Sequence, residues 1–158
     1  MQSRAAIGPH PLHPALVTLP IGAFFAAFVG DLAHLSTHDP FWYRFGFVAL
    51  VIGLISALPA AIAGLIDYFG VDMGPAAARL ATLHLFLNVG ALVGDAVSVW
   101  LRWHQAALGN DRFLLAMGLS TAAFLTLGIS GWIGGKMVFE HRLGVTEAAP
   151  AQAPRKTS

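Results

Sequence analysis

Histidine and carboxylate side chains in this 158-residue chain lie near the ends of long apolar stretches, where they could bind a metal ion. Neutral imidazole is the commonest protein ligand for zinc, copper and iron, and a carboxylate can join it or orient it through the second ring nitrogen. If the fold brings them together, the predicted metal ligands are His10, His13, Asp67, His84, Glu140 and His141. A cofactor such as haem b would be held at His13, His84 and Asn88, with the two imidazoles as axial ligands.

Three further polar residues, Asp31, His34 and Asp95, lie within the apolar stretches themselves. A charged carboxylate that faces lipid at mid-depth costs about 2.5–3.5 kcal/mol. Asp95 shares one helical face with His84 and Asn88, so it is predicted to face the protein interior and to hydrogen-bond a polar side chain of the first apolar stretch or nearby backbone. Two roles are open for it: a proton-relay carboxylate, or a polar contact that fixes helix packing.

The elements that must position these residues are membrane-spanning helices. The chain is 56% hydrophobic and 11% charged, whereas soluble domains carry about 25% charged residues. A helix of about 20 apolar residues crosses the hydrocarbon core. The predicted spans are residues 15–33, 45–66, 80–101 and 113–135.

The predicted fold class is therefore all-α, an integral membrane four-helix bundle with short loops in residues 1–146, followed by a disordered tail at residues 147–158. The first apolar run is longer than the core of a signal peptide, so it is interpreted as a retained span. The chain contains no cysteine, which excludes thiolate ligands from it, and its net charge of +1 gives no basis for a nucleic-acid partner.

Four spans place both chain ends on one side of the membrane, which we call the terminal side. All the predicted metal ligands, and Asn88, fall near that side, whereas Asp31, His34 and Asp95 fall toward the opposite one. His13 begins the first span and His84 lies one turn inside the third. These two residues are therefore predicted to come within hydrogen-bonding or ligand-sharing range, with Asp67, Asn88, Glu140 or His141 nearby.

The distribution of basic residues predicts the orientation of the bundle. Six of the nine fall on the terminal side, namely Arg4, Arg79, Lys136, Arg142, Arg155 and Lys156. The other three are Arg44, Arg102 and Arg112. Because basic residues are enriched in cytoplasmic segments, both termini are predicted to be cytoplasmic.

Several segments resemble one family of bacterial membrane proteins. They are residues 13–22 (HPALVTLPIG), residues 64–67 (GLID), His84 with Asn88, and residues 134–145 (GGKMVFEHRLGV). Together they resemble the four-helix family catalogued as domain of unknown function 2231, over about residues 10–145. The family opening carries a second histidine and a phenylalanine where this chain has Thr18 and Leu19. The resemblance implies a bacterial membrane and a redox neighbourhood. The predicted location is the bacterial inner membrane, and the predicted partners are the lipid bilayer and either redox proteins or a second copy of the chain.

Three functional interpretations remain open. The first, which we favour, is an accessory or electron-transfer subunit with a metal or haem bound by histidine. The second is a membrane scaffold or assembly anchor without a cofactor, and the third is a component of a proton or solute pathway. Independent catalysis is not predicted, because the chain has neither a dinucleotide fingerprint nor a recognisable nucleophile–base motif.

Overall fold

The computed structural model describes residues 2–104 and 111–145, and this part of the chain is almost entirely helical. A short antiparallel hairpin precedes the helices, with Ala6 paired to Pro11 and Ile7 to His10. The predicted tail, residues 147–158, lies outside the described residues. The elements are β1 (Ala6–Ile7), β2 (His10–Pro11), α1 (Leu12–Leu16), α2 (Thr18–Thr37), α3 (Pro40–Gly70), α4 (Pro75–Trp103) and α5 (Asp111–Phe139).

The predicted all-α membrane architecture is confirmed, because every predicted span lies within a helix that is long and apolar enough to cross a membrane. The first of these helices is α1 and α2 together, Leu12–Thr37, with 26 residues. Pro20 has no backbone N–H to donate to the carbonyl of Leu16, so the hydrogen-bond ladder is interrupted there. The break falls at Val17, whose N–H still bonds the carbonyl of His13 at 3.1 Å.

Local sequence signals set the other helix ends. Asp39 precedes α3, and its carboxylate accepts a hydrogen bond of 2.8 Å from the backbone N–H of Phe41. Pro40 and Pro75 occupy the first positions of α3 and α4, where a missing N–H is tolerated. At the end of α2, His38 adopts the left-handed conformation that closes many helices.

The helices pack as two antiparallel pairs, α2 with α3 and α4 with α5, joined by contacts of α2 with α5 and of α3 with α4. The core is built around Phe24 and Leu50. A side chain at Gly53 would be 2.5 Å from the Phe24 ring, so the absent side chain lets the ring lie against α3. Large apolar side chains elsewhere on the helices are exposed, as expected of surfaces that face lipid.

Helix α4 carries polar residues toward both ends of its span. His84 and Arg102 are eighteen residues apart, which corresponds to about 27 Å along an α-helix. The hydrocarbon core of a bilayer is about 30 Å thick, so the two residues lie near its opposite boundaries. The terminal-side cluster consists of His13, His84, Asn88 and Ser130. The loop-side cluster consists of Asp31, Ser98, Arg102 and Ser120.

Candidate functional site

The two histidines of the terminal-side cluster lie next to each other. His13 comes from α1 and His84 from α4, and their ring centroids are 6.0 Å apart with an interplanar angle of 81°. Both side chains are half-buried. The structure therefore brings together two imidazoles from helices that are far apart in the sequence.

Each imidazole is held by a backbone carbonyl of the helix behind it. The Nδ1 atom of His13 lies 2.8 Å from the carbonyl oxygen of Ala60 on α3. The Nδ1 atom of His84 lies 2.9 Å from the carbonyl oxygen of Ser130 on α5. A carbonyl oxygen only accepts, so both Nδ1 atoms donate. In neutral imidazole this leaves an unprotonated lone pair on each Nε2, and neither Nε2 has a hydrogen-bond partner within residues 2–104 and 111–145.

Glycine makes room for each ring in the same way. Gly64 follows the accepting Ala60 by one helical turn, and a Cβ atom there would be 3.0 Å from Nδ1 of His13. Gly134 follows Ser130 by the same interval, and its Cβ would be 3.3 Å from Cε1 of His84. The two histidine positions are therefore built alike in the two halves of the chain.

Asn88 supports His84 from behind. Its Nδ2 donates to the carbonyl oxygen of His84 at 2.7 Å and to Oγ of Ser130 at 2.6 Å. Ser130 is fully buried. The predicted cofactor residue Asn88 thus fixes α4 against α5, and its amide is already engaged with protein groups.

The structure places Asp67, another predicted metal ligand, under the N-terminal segment. Its carboxylate accepts hydrogen bonds from Oγ of Ser3 at 2.7 Å and from the backbone N–H groups of Arg4 and Ala5 at 2.7 and 2.9 Å. These donors, which lie more than sixty residues earlier, leave Asp67 as the anchor of the segment that leads into β1.

The remaining predicted ligands lie at the surface of the terminal side. His10 is exposed on β2, and Glu140 is exposed 3.9 Å from Lys136. His141 is half-buried directly after α5. No three His, Asp or Glu side chains within the described part of the chain form a group that could hold a metal ion. Of the six predicted ligands, the structure therefore pairs His13 with His84.

The loop-side cluster is a buried ion pair with all its partners in place. Nη1 and Nη2 of Arg102 each donate to one carboxylate oxygen of Asp31 at 2.6 Å. Nε donates to Oγ of Ser98 at 3.2 Å, and Nη2 also donates to Oγ of Ser120 at 3.1 Å. Tyr43 donates from its hydroxyl to the carbonyl of Arg102 at 2.9 Å. This bidentate geometry offsets the cost of removing both charges from water.

A third glycine allows the ion pair to form. Gly46 on α3 faces the pair, and a Cβ atom there would be 2.8 Å from Oδ1 of Asp31 and 3.5 Å from Nη1 of Arg102. Helix α3 therefore approaches the charged groups with backbone alone.

Asp95 faces the interior, as predicted, and is 1% exposed. The predicted hydrogen bond is wrong, because neither carboxylate oxygen has a partner among the described residues. The donors of the loop-side cluster are already bound to other acceptors. Arg102 binds Asp31, and the Ser98 hydroxyl donates to the carbonyl of Ala116 at 2.7 Å. His34 bonds the carbonyl of Asp39 at 2.9 Å, at the end of its helix.

The sequence patterns place Arg102 on the side opposite the termini, but they did not predict that it pairs with Asp31. The signal was present in the spacing. His13 and Asp31 are eighteen residues apart, and so are His84 and Arg102. Equal spacing in the two halves puts the oppositely charged Asp31 and Arg102 at equivalent positions, where they can meet as the two histidines do.

Comparison with known proteins assigns the chain to a family. The model of the family described as "Predicted membrane protein (DUF2231)" matches residues 9–147. No curated protein matches the chain, and no solved structure does. The match covers β2, all four apolar helices and both polar clusters. The chain is thus an integral membrane protein, and it belongs to the family catalogued as domain of unknown function 2231.

Proposed function

We propose that the protein is an accessory or electron-transfer subunit that binds one transition metal ion between His13 and His84. The observation that supports this proposal is the bonding of both imidazoles. Histidines that ligate a metal usually donate the other ring N–H to a carbonyl or carboxylate, which fixes the tautomer and aims the lone pair. Both histidines donate Nδ1–H to a backbone carbonyl, so both Nε2 atoms are available as ligands.

The separation of the rings agrees with a shared ion. Metal–nitrogen bonds of about 2.0–2.1 Å place the ring centres of two Nε2-bound imidazoles about 5–6 Å apart. The observed centroid separation of His13 and His84 is 6.0 Å. The backbone anchors on α3 and α5 hold the rings at this distance before any ion binds, which lowers the entropy lost on binding.

Two imidazoles select the chemical class of the ion. Imidazole suits zinc, copper, iron and nickel, and the chain has no cysteine to add a thiolate. Two protein ligands leave further coordination positions for water or for a group from a partner protein. Copper or iron at this site would give the subunit a redox role, whereas zinc would give it a structural one.

Metal analysis combined with a visible absorption spectrum tests the proposal. The wild-type protein, purified in detergent from cells grown with added copper, iron, zinc and nickel salts, should contain about one metal ion per chain. His13→Ala and His84→Ala should each remove it. His104→Ala is the matched control, because His104 also bonds a backbone carbonyl through Nδ1, at 2.8 Å, but its ring contacts Trp100 instead of a second imidazole.

The same measurements separate the competing interpretations. A Soret band that disappears in both variants would identify haem held by the same two nitrogens instead of a free ion. A wild-type protein that contains no metal, and whose melting temperature does not rise with any of the four salts, would contradict the proposal. Loss of stability without metal in the two variants would then favour the scaffold interpretation.

A further inference from the structure

Asp95 is an uncommitted carboxylate inside the bundle, apart from the histidine pair. It is 1% exposed, and neither oxygen has a hydrogen-bond partner among the described residues. It lies on the same face of α4 as Ser98 and Arg102, and Nε of Arg102 donates to the Ser98 hydroxyl at 3.2 Å, one turn from Asp95. The side chain is therefore held in the protein interior beside an ion pair that does not use it.

The charges in the loop-side cluster determine whether Asp95 can be ionised. The charged groups of the loop-side cluster are Arg102, which lies on the same face of α4 as Asp95, and Asp31 from α2, which binds Arg102. The other polar groups of the loop-side cluster, from α4 and α5, are the neutral hydroxyls of Ser98 and Ser120. One guanidinium balances one carboxylate, so a second ionised carboxylate would leave an uncompensated charge in a medium of low dielectric constant.

We propose that Asp31, Arg102 and Asp95 together bind one exchangeable proton, which resides on Asp95 while Arg102 is paired with Asp31. The site is a proton-binding site near the loop side of the membrane. It is independent of the metal proposal, because the two clusters share no residue.

The position of Arg102 allows it to be shared between the two carboxylates. Asp95 precedes Arg102 by seven residues, which is two helical turns, so both lie on one face of α4. Side chains on a helix lean toward its N-terminus, and Nε of Arg102 already reaches back to Ser98, between the two. Transfer of the proton from Asp95 to Asp31 would let the guanidinium pair with Asp95 instead, and the total charge would stay the same.

Infrared spectroscopy of the purified protein tests the proposal, because a protonated carboxyl has a C=O band distinct from that of a carboxylate. At neutral pH the wild type should show one such band, and transfer into heavy water should shift it. Asp95→Asn should abolish it. Asp31→Asn should abolish it as well, because Asp95 then becomes the only carboxylate available to Arg102. Arg102→Gln should double it, and Asp72→Asn, an exposed loop substitution, should leave it unchanged.

Two results would overturn the proposal. One is a wild-type spectrum without a carboxylic-acid band, and the other is a band that persists in the Asp31→Asn variant. A measurement on the unaltered protein guards against misfolded variants. In the wild-type protein, a carboxylic-acid band that does not shift in heavy water would show that the proton does not exchange, and would equally contradict the proposal.

Discussion

The absent side chain of Gly46 determines whether Asp31 and Arg102 can meet. A Cβ atom at Gly46 would be 2.8 Å from Oδ1 of Asp31, closer than real Cβ contacts come. The carboxylate is fixed by two bonds of 2.6 Å to the guanidinium, so it has little freedom to move aside. A single methyl group would therefore strain the ion pair or push α3 away from it.

We expect Gly46→Ala to destabilise the folded protein by about 1–3 kcal/mol, the usual cost of overpacking a filled core. Thermal unfolding in detergent, followed by circular dichroism, measures this as a lower melting temperature. Gly90→Ala is the control, because Gly90 is also within a helix but has nothing within 4 Å of its added Cβ. Equal melting temperatures for the two variants would show that α3 can yield at no cost.

The histidine anchors give a second prediction for single residues. Gly134→Ala should push His84 off the Ser130 carbonyl, because the new Cβ would be 3.3 Å from Cε1 of the ring. If His13 and His84 bind a metal ion as proposed, this displacement should lower the metal content, although both ligands are still present. Gly128→Ala is the matched control on the same helix, because an added Cβ there meets nothing within 4 Å. Full metal occupancy in the Gly134→Ala variant would show that the Nδ1 anchor does not position the ligand.

The inward face of α4 could be predicted from the sequence, whereas the partners of its polar side chains on other helices could not. The helical spacing of His84, Asn88 and Asp95 correctly predicts an inward face. The spacing of polar residues does not show which helix lies opposite that face, so the pairing of Arg102 with Asp31 was not predicted. Periodicity describes one helix at a time, and a hydrogen bond between helices depends on their packing.

At the scale of elements, the N-terminal segment is attached to the bundle mainly through Asp67. Its carboxylate accepts hydrogen bonds from Ser3, Arg4 and Ala5, and Nε of Arg4 bonds the carbonyl of Gly70 at 3.0 Å. Charged acceptors stabilise such bonds more than neutral ones do. The position at which β1 and β2 lie over the terminal side therefore depends on one side chain of α3.

Asp67→Asn should release this segment, because an amide offers one accepting oxygen where the carboxylate offers two. Hydrogen bonds to charged groups contribute about 1.5–3 kcal/mol each, so opening should rise about tenfold or more. Trypsin cleavage after Arg4, timed by mass spectrometry, reports the opening. Asp72→Asn removes the same charge from an exposed position nearby. If the two variants are cut at the same rate, Asp67 does not hold the segment.

The helices themselves were predictable, whereas the hairpin was not. Apolar runs of sufficient length indicate spans, and each predicted span lies within an observed helix. The hairpin involves only Ala6–Ile7 and His10–Pro11, too short for an alternating pattern to appear. The donors that hold Asp67 are backbone N–H groups, which every sequence contains, so no residue type marks them.

At the scale of the whole molecule, the distribution of basic residues predicts the orientation of the bundle. Arg102 pairs with Asp31 inside the protein, on the side opposite the termini. Six basic residues fall on the terminal side against three, Arg44, Arg102 and Arg112, on the other. This bias favours cytoplasmic termini.

We expect the C-terminus to lie in the cytoplasm, which reporter fusions at that end can test. A fluorescent protein that folds only there and an alkaline phosphatase that is active only outside make a complementary pair. The same pair inserted between α4 and α5 should give the opposite result. Phosphatase activity from the C-terminal fusion would show that the bundle is inserted with its termini outside.

The buried ion pair keeps a charged residue inside the membrane without exposing it to lipid. An interfacial arginine usually extends its side chain toward the headgroups. Arg102 has no such freedom, since its guanidinium is bound to Asp31 by two hydrogen bonds of 2.6 Å. Both side chains are fully buried in the bundle, so neither of them meets the acyl chains. The fit of the protein to bilayers of different thickness therefore depends on the exposed apolar side chains of its helices and not on this charged pair.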